Sequence, residues 1–160
     1  MSDRTQISTV PGEARRYQGL PAGLVTRVGA NVVDLLVLAV ALVVIYGGWA
    51  AVRLLIRGSE FDFPTPTFAT VYVVGAVVFT LYLAASWAAT GRTYGAQVMG
   101  LRIVDRDGHR IGGLRALARS VLCVLFPIGL LWCAVSREKR SLQDLIVRTS
   151  VIYDWAIRGR

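Results

Sequence analysis

Three polar side chains interrupt the first long apolar run of this chain: Arg27, Asn31 and Asp34. At i, i+4 and i+7 they fall on one face of a helix. Asp34 then lies about 10 Å further along the axis than Arg27, at ~1.5 Å rise per residue. Arg27 can extend its stem to a polar boundary, whereas the short Asp34 side chain cannot. A carboxylate at that depth in a lipid-embedded helix costs up to about 3 kcal/mol, so it must be neutral, paired or facing water. Burial raises a carboxyl pKa and a nearby cation lowers it, which makes Asp34 a candidate for proton or cation exchange. The alternative is a structural lock, with Asp34 paired to Arg115 or Arg119, two arginines that share a helix face at i, i+4.

Other chemistry is sparse. Asp144 follows a basic knot, Arg137-Glu138-Lys139-Arg140, in the segment SLQDL, and on its own reads as a capping or surface residue. Arg137, Lys139 and Arg140 suit anionic lipid headgroups, each charge contributing on the order of 1 kcal/mol near a membrane surface, or serve as a topology anchor. His109 sits in a turn beside Asp107, and Cys123 and Cys133 lie in an apolar run with no metal-ligand spacing. A single histidine and no Ser/His/Asp set argue against an enzyme, a metal site or a cofactor, and Gly91, Gly95 and Gly100 are not followed by the GK[ST] of a phosphate loop.

The elements that must position these groups are apolar. The chain has 160 residues, 54% hydrophobic and only 18% charged, with a formal charge of +8 and a mean hydropathy of +0.53. Soluble domains carry about a quarter charged residues, so the composition points to a small integral membrane protein of one domain. Basic residues are spread among apolar flanks rather than gathered on one stripe, which argues against nucleic acid. Residues 1–20 read as a flexible cytoplasmic arm, 21–155 as the membrane domain and 156–160 as a tail. Residues 28–52 and 68–90 are each long enough to span a bilayer, which takes about 20 residues. The linker 53–67, with Pro64 and Pro66, forbids a continuing helix. Ala76, Thr80, Ala84 and Ala88 form a small-residue stripe suited to close helix packing. A third apolar segment within 111–136 is broken at Pro127 and Gly129. Residues 101–105 and 149–153 are predicted as a strand pair, and DRDG (105–108) as a turn.

Charge placement orients the chain. With two spans and a re-entrant hairpin at 111–136, sixteen of the eighteen basic residues face the cytoplasm. A third full span would export the basic tail. The expected fold is therefore an all-α membrane protein with two transmembrane helices, a re-entrant (or third transmembrane) segment and a small cytoplasmic β element. The chain is expected to be a multi-pass protein of the cell (inner) membrane with both termini on the cytoplasmic side.

Taken together, Arg27 and Asp34 in the first helix, the GRTYGAQVMGLRIVDRDG segment after the second, RALARS, and a QDL after a basic knot resemble the RDD family of small prokaryotic membrane proteins, named for one arginine and two aspartates. The matching residues are Arg27, Asp34 and Asp144. The most specific stretch is Gly91, Thr93, Gly95, Gly100, Leu101, Ile103, Val104 and Asp105. This chain differs in having Gln143 where family members usually carry histidine, and Val147-Arg148-Thr149 where they carry AGT. The resemblance implies transport, with sodium/proton exchange linked to some members, and makes Asp144 a partner of Arg27 or Arg119 at the cytoplasmic face. The working mechanism is cation/proton exchange at Asp34, tuned by Arg27 and gated by Asp144. The rival is a non-transporting accessory or scaffold subunit of a larger membrane complex. Two spans enclose no permeation path alone, so the expected partners are the bilayer and a second copy or another membrane protein.

Overall fold

A computed structural model describes residues 18–105, 108–136 and 141–154. Helix α1 (Leu24–Arg57) is 34 residues long, about 50 Å at the usual rise. It runs past Val52 and keeps Arg53 and Arg57 helical, because basic residues near a helix C-terminus complement its dipole. The helix thus continues into the first residues of the stretch 53–67 expected as a linker. Gly58, at φ 54°, ends it and returns its N–H to the Leu54 carbonyl, the usual glycine exit. After a short 3-10 turn (Gly58–Glu60) and the two prolines, Thr67 caps helix α2 (Phe68–Ala89), its hydroxyl accepting from the Thr70 N–H. These two helices are long and apolar enough to cross a membrane.

The chain then turns sharply. Gly91 adopts φ +75°, and its carbonyl accepts from the Ile103 N–H at 2.9 Å. Thr93 caps the short helix α3 (Tyr94–Val98), accepting from the Ala96 N–H. Gly100, also left-handed at φ +64°, leads into strand β1 (Leu101–Asp105). Strand β2 (Thr149–Tyr153) pairs with it antiparallel, Leu101 opposite Tyr153 and Asp105 opposite Thr149, in the two stretches expected from sequence. Residues 19–22 lie along the other edge of β2, with Ala22 N–H donating to the Val151 carbonyl at 2.9 Å and Gly19 N–H to that of Tyr153 at 2.8 Å. This ribbon ties the entry of α1 to the tail. The 105–108 turn forms, Gly108 N–H donating to the Asp105 carbonyl at 3.0 Å; Arg106 and Asp107 lie outside the described residues.

The third apolar segment is not a continuous span. Helix α4 (Gly113–Leu125) has 13 residues, about 20 Å, short of the ~30 Å hydrocarbon core. Pro127 then opens a 3-10 turn (Pro127–Leu130), followed by the single turn α5 (Trp132–Val135). A proline has no N–H to continue the ladder and its ring clashes with the preceding turn, which explains the break. Helix α6 (Leu142–Val147) completes the fold. Helix α4 is amphipathic, burying Ala116, Arg119 and Ser120 at three-to-four-residue spacing, and packs along α2. Ala76 and Thr80 of the small-residue stripe meet Val121, Val124 and Leu125 of α4 there. The buried core (Leu83, Trp87, Ala96, Leu101, Ile103, Ala116, Val151) sits at this one end of the helix pair.

Candidate functional site

Two buried carboxylates, Asp34 and Asp144, organise that end, and they are held by different means. Asp34 is 2% exposed. Its Oδ1 accepts from the Tyr82 hydroxyl at 2.7 Å and the Gly95 N–H at 2.8 Å, and its Oδ2 accepts from the Thr93 hydroxyl at 2.6 Å. All three donors are neutral. Thr93 acts twice, since the same oxygen caps α3 by accepting from the Ala96 N–H at 3.1 Å. Tyr82 also acts twice, accepting from the Tyr94 N–H at 3.0 Å. Position 95 must be glycine for this docking: a Cβ there would fall 2.0 Å from the Ala30 carbonyl oxygen and 3.0 Å from the Asp34 carboxyl carbon.

Asp144 is 1% exposed and is clamped by two arginines, Arg27 on Oδ2 and Arg119 on Oδ1. It also completes a capping box, accepting from the Ser141 N–H at 3.1 Å while its own N–H donates to the Ser141 hydroxyl at 3.2 Å. Arg119 donates further to the Thr149 hydroxyl at the start of β2, and its guanidinium lies 5.0 Å over the Trp87 ring, a favourable cation–π position. Arg27 Nε donates to the Ala22 carbonyl at 3.2 Å. Burial by itself would raise the Asp144 carboxyl; the adjacent Arg119 and Arg27 charges, with the Ser141 N–H, outweigh it and hold the group well below the usual carboxylate range.

The expected pairing of Asp34 with Arg115 or Arg119 is therefore not formed. Arg119 turns to Asp144, and Arg115 pairs with Asp105 at the end of β1, while Asp34 is satisfied by donors from α2 and the start of α3. Asn31 shares the helix face of Arg27 and Asp34 but remains exposed, at the rim of the cleft. Arg137, Lys139 and Arg140 lie outside the described residues. His109 is exposed, Cys123 is half-buried and Cys133 is buried.

Arg27, Asn31, Asp34, Arg119 and Gln143 line one cleft of about 180 Å³, walled by Leu83 and Trp87. Gln143 Nε2 donates to the Phe126 carbonyl at 2.7 Å, bracing the broken helix. Its Oε1 and the Nε of Arg119 are buried without a partner among the described residues. A second carboxylate clasp lies nearby: Asp154 accepts from Gln18 at 2.8 Å, Arg92 at 2.7 Å and Arg102 at 3.2 Å. Burial would raise this carboxyl too, and the Gln18 hydrogen bond with Arg102 and Arg92 carries it below its ordinary value.

Sequence reasoning picked out Arg27, Asp34, Asp144 and Arg119, but not Tyr82, Ser141, Thr149 or Trp87 as their partners. Thr93 and Gly95 stood in the quoted motif without a role. A signal was present: Thr93 precedes a short helix as a cap residue, and the glycine two positions on is where a helix turn must approach another backbone closely.

A family model described as the RDD family matches residues 21–148. The chain is 32% identical over 142 residues to the uncharacterized protein YckC of Bacillus subtilis (strain 168), covering 83% of this chain and 85% of YckC. It is 28% identical over 92 residues to the uncharacterized protein YxaI of the same organism, covering 55% of this chain and 58% of YxaI. No solved structure matches.

Proposed function

Since this chain belongs to the RDD family, we propose that it is an integral membrane protein, α1 and α2 crossing the bilayer with both termini cytoplasmic, and that it exchanges a small cation for protons at Asp34. The observation that carries this reading is the cleft itself. It sets an ionisable group about 10 Å beyond Arg27 in an apolar helix of spanning length, in a cleft shared with two polar atoms that lack a partner among the described residues. Ionisable groups at membrane depth are costly and mark ion or proton pathways. The hydroxyls of Tyr82 and Thr93 that donate to Asp34 have lone pairs of their own, so rotating them converts a hydrogen-bonded carboxylate into an oxygen-lined cation site. Arg27 and Arg119 close the inner mouth by holding Asp144, so a cation enters when the Asp144 clasp moves. Two spans cannot wall a path, so the exchanging unit is a homo-oligomer.

The second reading, an accessory or scaffold subunit, has its own support in the backbone N–H of Gly95 on Asp34, a contact that works as packing glue. Proteoliposomes carrying an internal pH dye separate the two. Pulses of Na⁺, K⁺ or Li⁺ are expected to move protons with the wild type and not with Asp34→Asn, inserted to the same level. Flux retained in the variant removes Asp34 as the site. No flux from well-inserted wild type removes exchange altogether and leaves the accessory reading.

A further inference from the structure

The far end of the helix pair is built differently from the packed end. There an apolar groove of about 480 Å³ lies between α1 and α2, lined by Leu42, Tyr46, Trp49, Pro66, Val71 and Val74. The Tyr46 hydroxyl donates to the Pro64 carbonyl at 2.9 Å, so the loop closes one end. On the α1 wall, Leu42, Tyr46, Trp49 and Arg53 follow one another at spacings of four, three and four, one continuous helix face. Arg53 therefore stands at the mouth, its guanidinium 5.8 Å over the Trp49 ring, and Arg57 follows one turn later. Neither is ion-paired with a carboxylate among the described residues, although Glu60 and Asp62 lie just beyond.

The depth fits a headgroup. Arg27 and Arg53 are separated by about 39 Å along α1 at ~1.5 Å per residue, more than the ~30 Å hydrocarbon core and within the ~40–45 Å that includes both headgroup regions. Tyr46, Trp49, Phe61, Phe63, Phe68 and Tyr72 cluster at the Arg53 end, as aromatic side chains do at a membrane boundary.

We infer that this groove is a binding site for one anionic phospholipid, its acyl chain lying between Tyr46, Trp49 and Val71 and its phosphate on Arg53 and Arg57. A phosphate is the group whose charge complements the two unpaired guanidiniums, and an acyl chain is what complements an uncharged groove running inward from them. The site is at the opposite end from the Asp34 cleft and independent of exchange there. It does rest on α1 and α2 crossing a bilayer.

The test is native mass spectrometry of the detergent-solubilised protein, titrated with phosphatidylglycerol or phosphatidylcholine of identical chains. Flotation with vesicles of the same two lipids runs beside it as the insertion control. One phosphatidylglycerol is expected to survive activation in preference to phosphatidylcholine. The pair Arg53→Gln and Arg57→Gln should reduce that preference about thirtyfold, two surface charges' worth. Val71→Trp, which fills the groove on a lipid-facing wall, should reduce retention of both lipids. Equal retention of the two lipids by the wild type would overturn the inference. So would a preference untouched by the glutamine pair, which would put the headgroup elsewhere, or a Val71→Cys disulfide dimer that excludes lipid, which would give the groove to a second copy. Protein that fails to float with vesicles would instead overturn the membrane reading beneath it.

Discussion

Residues 93–105 and residues 141–153 are built on the same plan and filled differently. In each, a hydroxyl side chain (Thr93, Ser141) caps a short helix, a left-handed residue (Gly100, Arg148) ends it, and a five-residue strand follows. The two strands then pair with each other. The first unit receives a carboxylate from outside, Asp34 of α1, and meets it with neutral donors. The second carries its own, Asp144, and receives two cations from α1 and α4. The first contact depends on how closely two backbones approach. The second depends on charge, because two guanidiniums are buried there against the Asp144 carboxylate.

Removing Asp144 should therefore be the most damaging single change. Asp144→Ala removes the carboxylate that both Arg27 and Arg119 hold in the buried site, and breaking a buried ion pair costs about 3–5 kcal/mol. Asp34→Ala removes the acceptor of three neutral donors; the two hydroxyls can rotate to other acceptors, which leaves chiefly the Gly95 N–H unsatisfied, at a smaller cost of about 1–3 kcal/mol. Thermal unfolding of both variants in one detergent checks the order, and equal costs would break the distinction between the two units. Acid offers the same test without mutation. The folded pKa of Asp144 is depressed, so its contribution is fully present above the unfolded value near 4 and is lost as pH falls through the lower folded value. Protease sensitivity of the tail should therefore rise only in strong acid, well below pH 4. Release at pH 5–6 would mean that another group opens the clasp.

The neutral-donor unit should fail through crowding instead. Gly95→Ala places a methyl 2.0 Å from the Ala30 carbonyl oxygen, and because the obstacle is backbone, α3 must move. Overpacking of this kind costs about 1–3 kcal/mol. The displaced α3 should expose Asp34, read as faster amide exchange at Ala96 and Gln97 while the tail segment 141–153 stays protected. Loss of protection in both units together would show that they fold as one.

These contrasts explain which parts were legible in the sequence. The two long helices and the strand pair follow from apolar length and from alternating, β-branched stretches, both local properties. Arg27, Asp34 and Asp144 stood out because charge beside apolar runs is costly anywhere. Their partners did not stand out. Tyr82 and Trp87 look like ordinary members of an apolar helix, and which of Asp34 and Asp144 Arg119 would choose depends on where α4 lies over α2. That placement follows from a chain reversal at Gly91 and a break at Pro127, each visible singly, whose combined direction no spacing rule supplies. The continuation of α1 through Arg53 and Arg57 was not legible because the linker is read as a whole from its prolines, whereas basic residues near a helix C-terminus are favourable.

The smallest expected effect runs in opposite directions in the two units. Gly100 and Arg148 hold the same left-handed backbone, at φ +64° and +58°, but only glycine adopts it without a Cβ clash. The Arg148 side chain is exposed, and position 148 falls on the middle residue of the AGT that RDD proteins usually carry. Replacing it with glycine removes the clash and one surface charge. The gain is offset in part by the greater freedom of glycine in the unfolded chain, leaving a net stabilisation of about 0.5–1 kcal/mol for Arg148→Gly. Gly100→Ala should destabilise by a similar amount, about 1 kcal/mol, for the same reason reversed. Melting of the two variants against wild type tests the pair. If Arg148→Gly is neutral or destabilising, the arginine must be making a compensating contact, and the tail unit would then be held by a third cation besides Arg27 and Arg119.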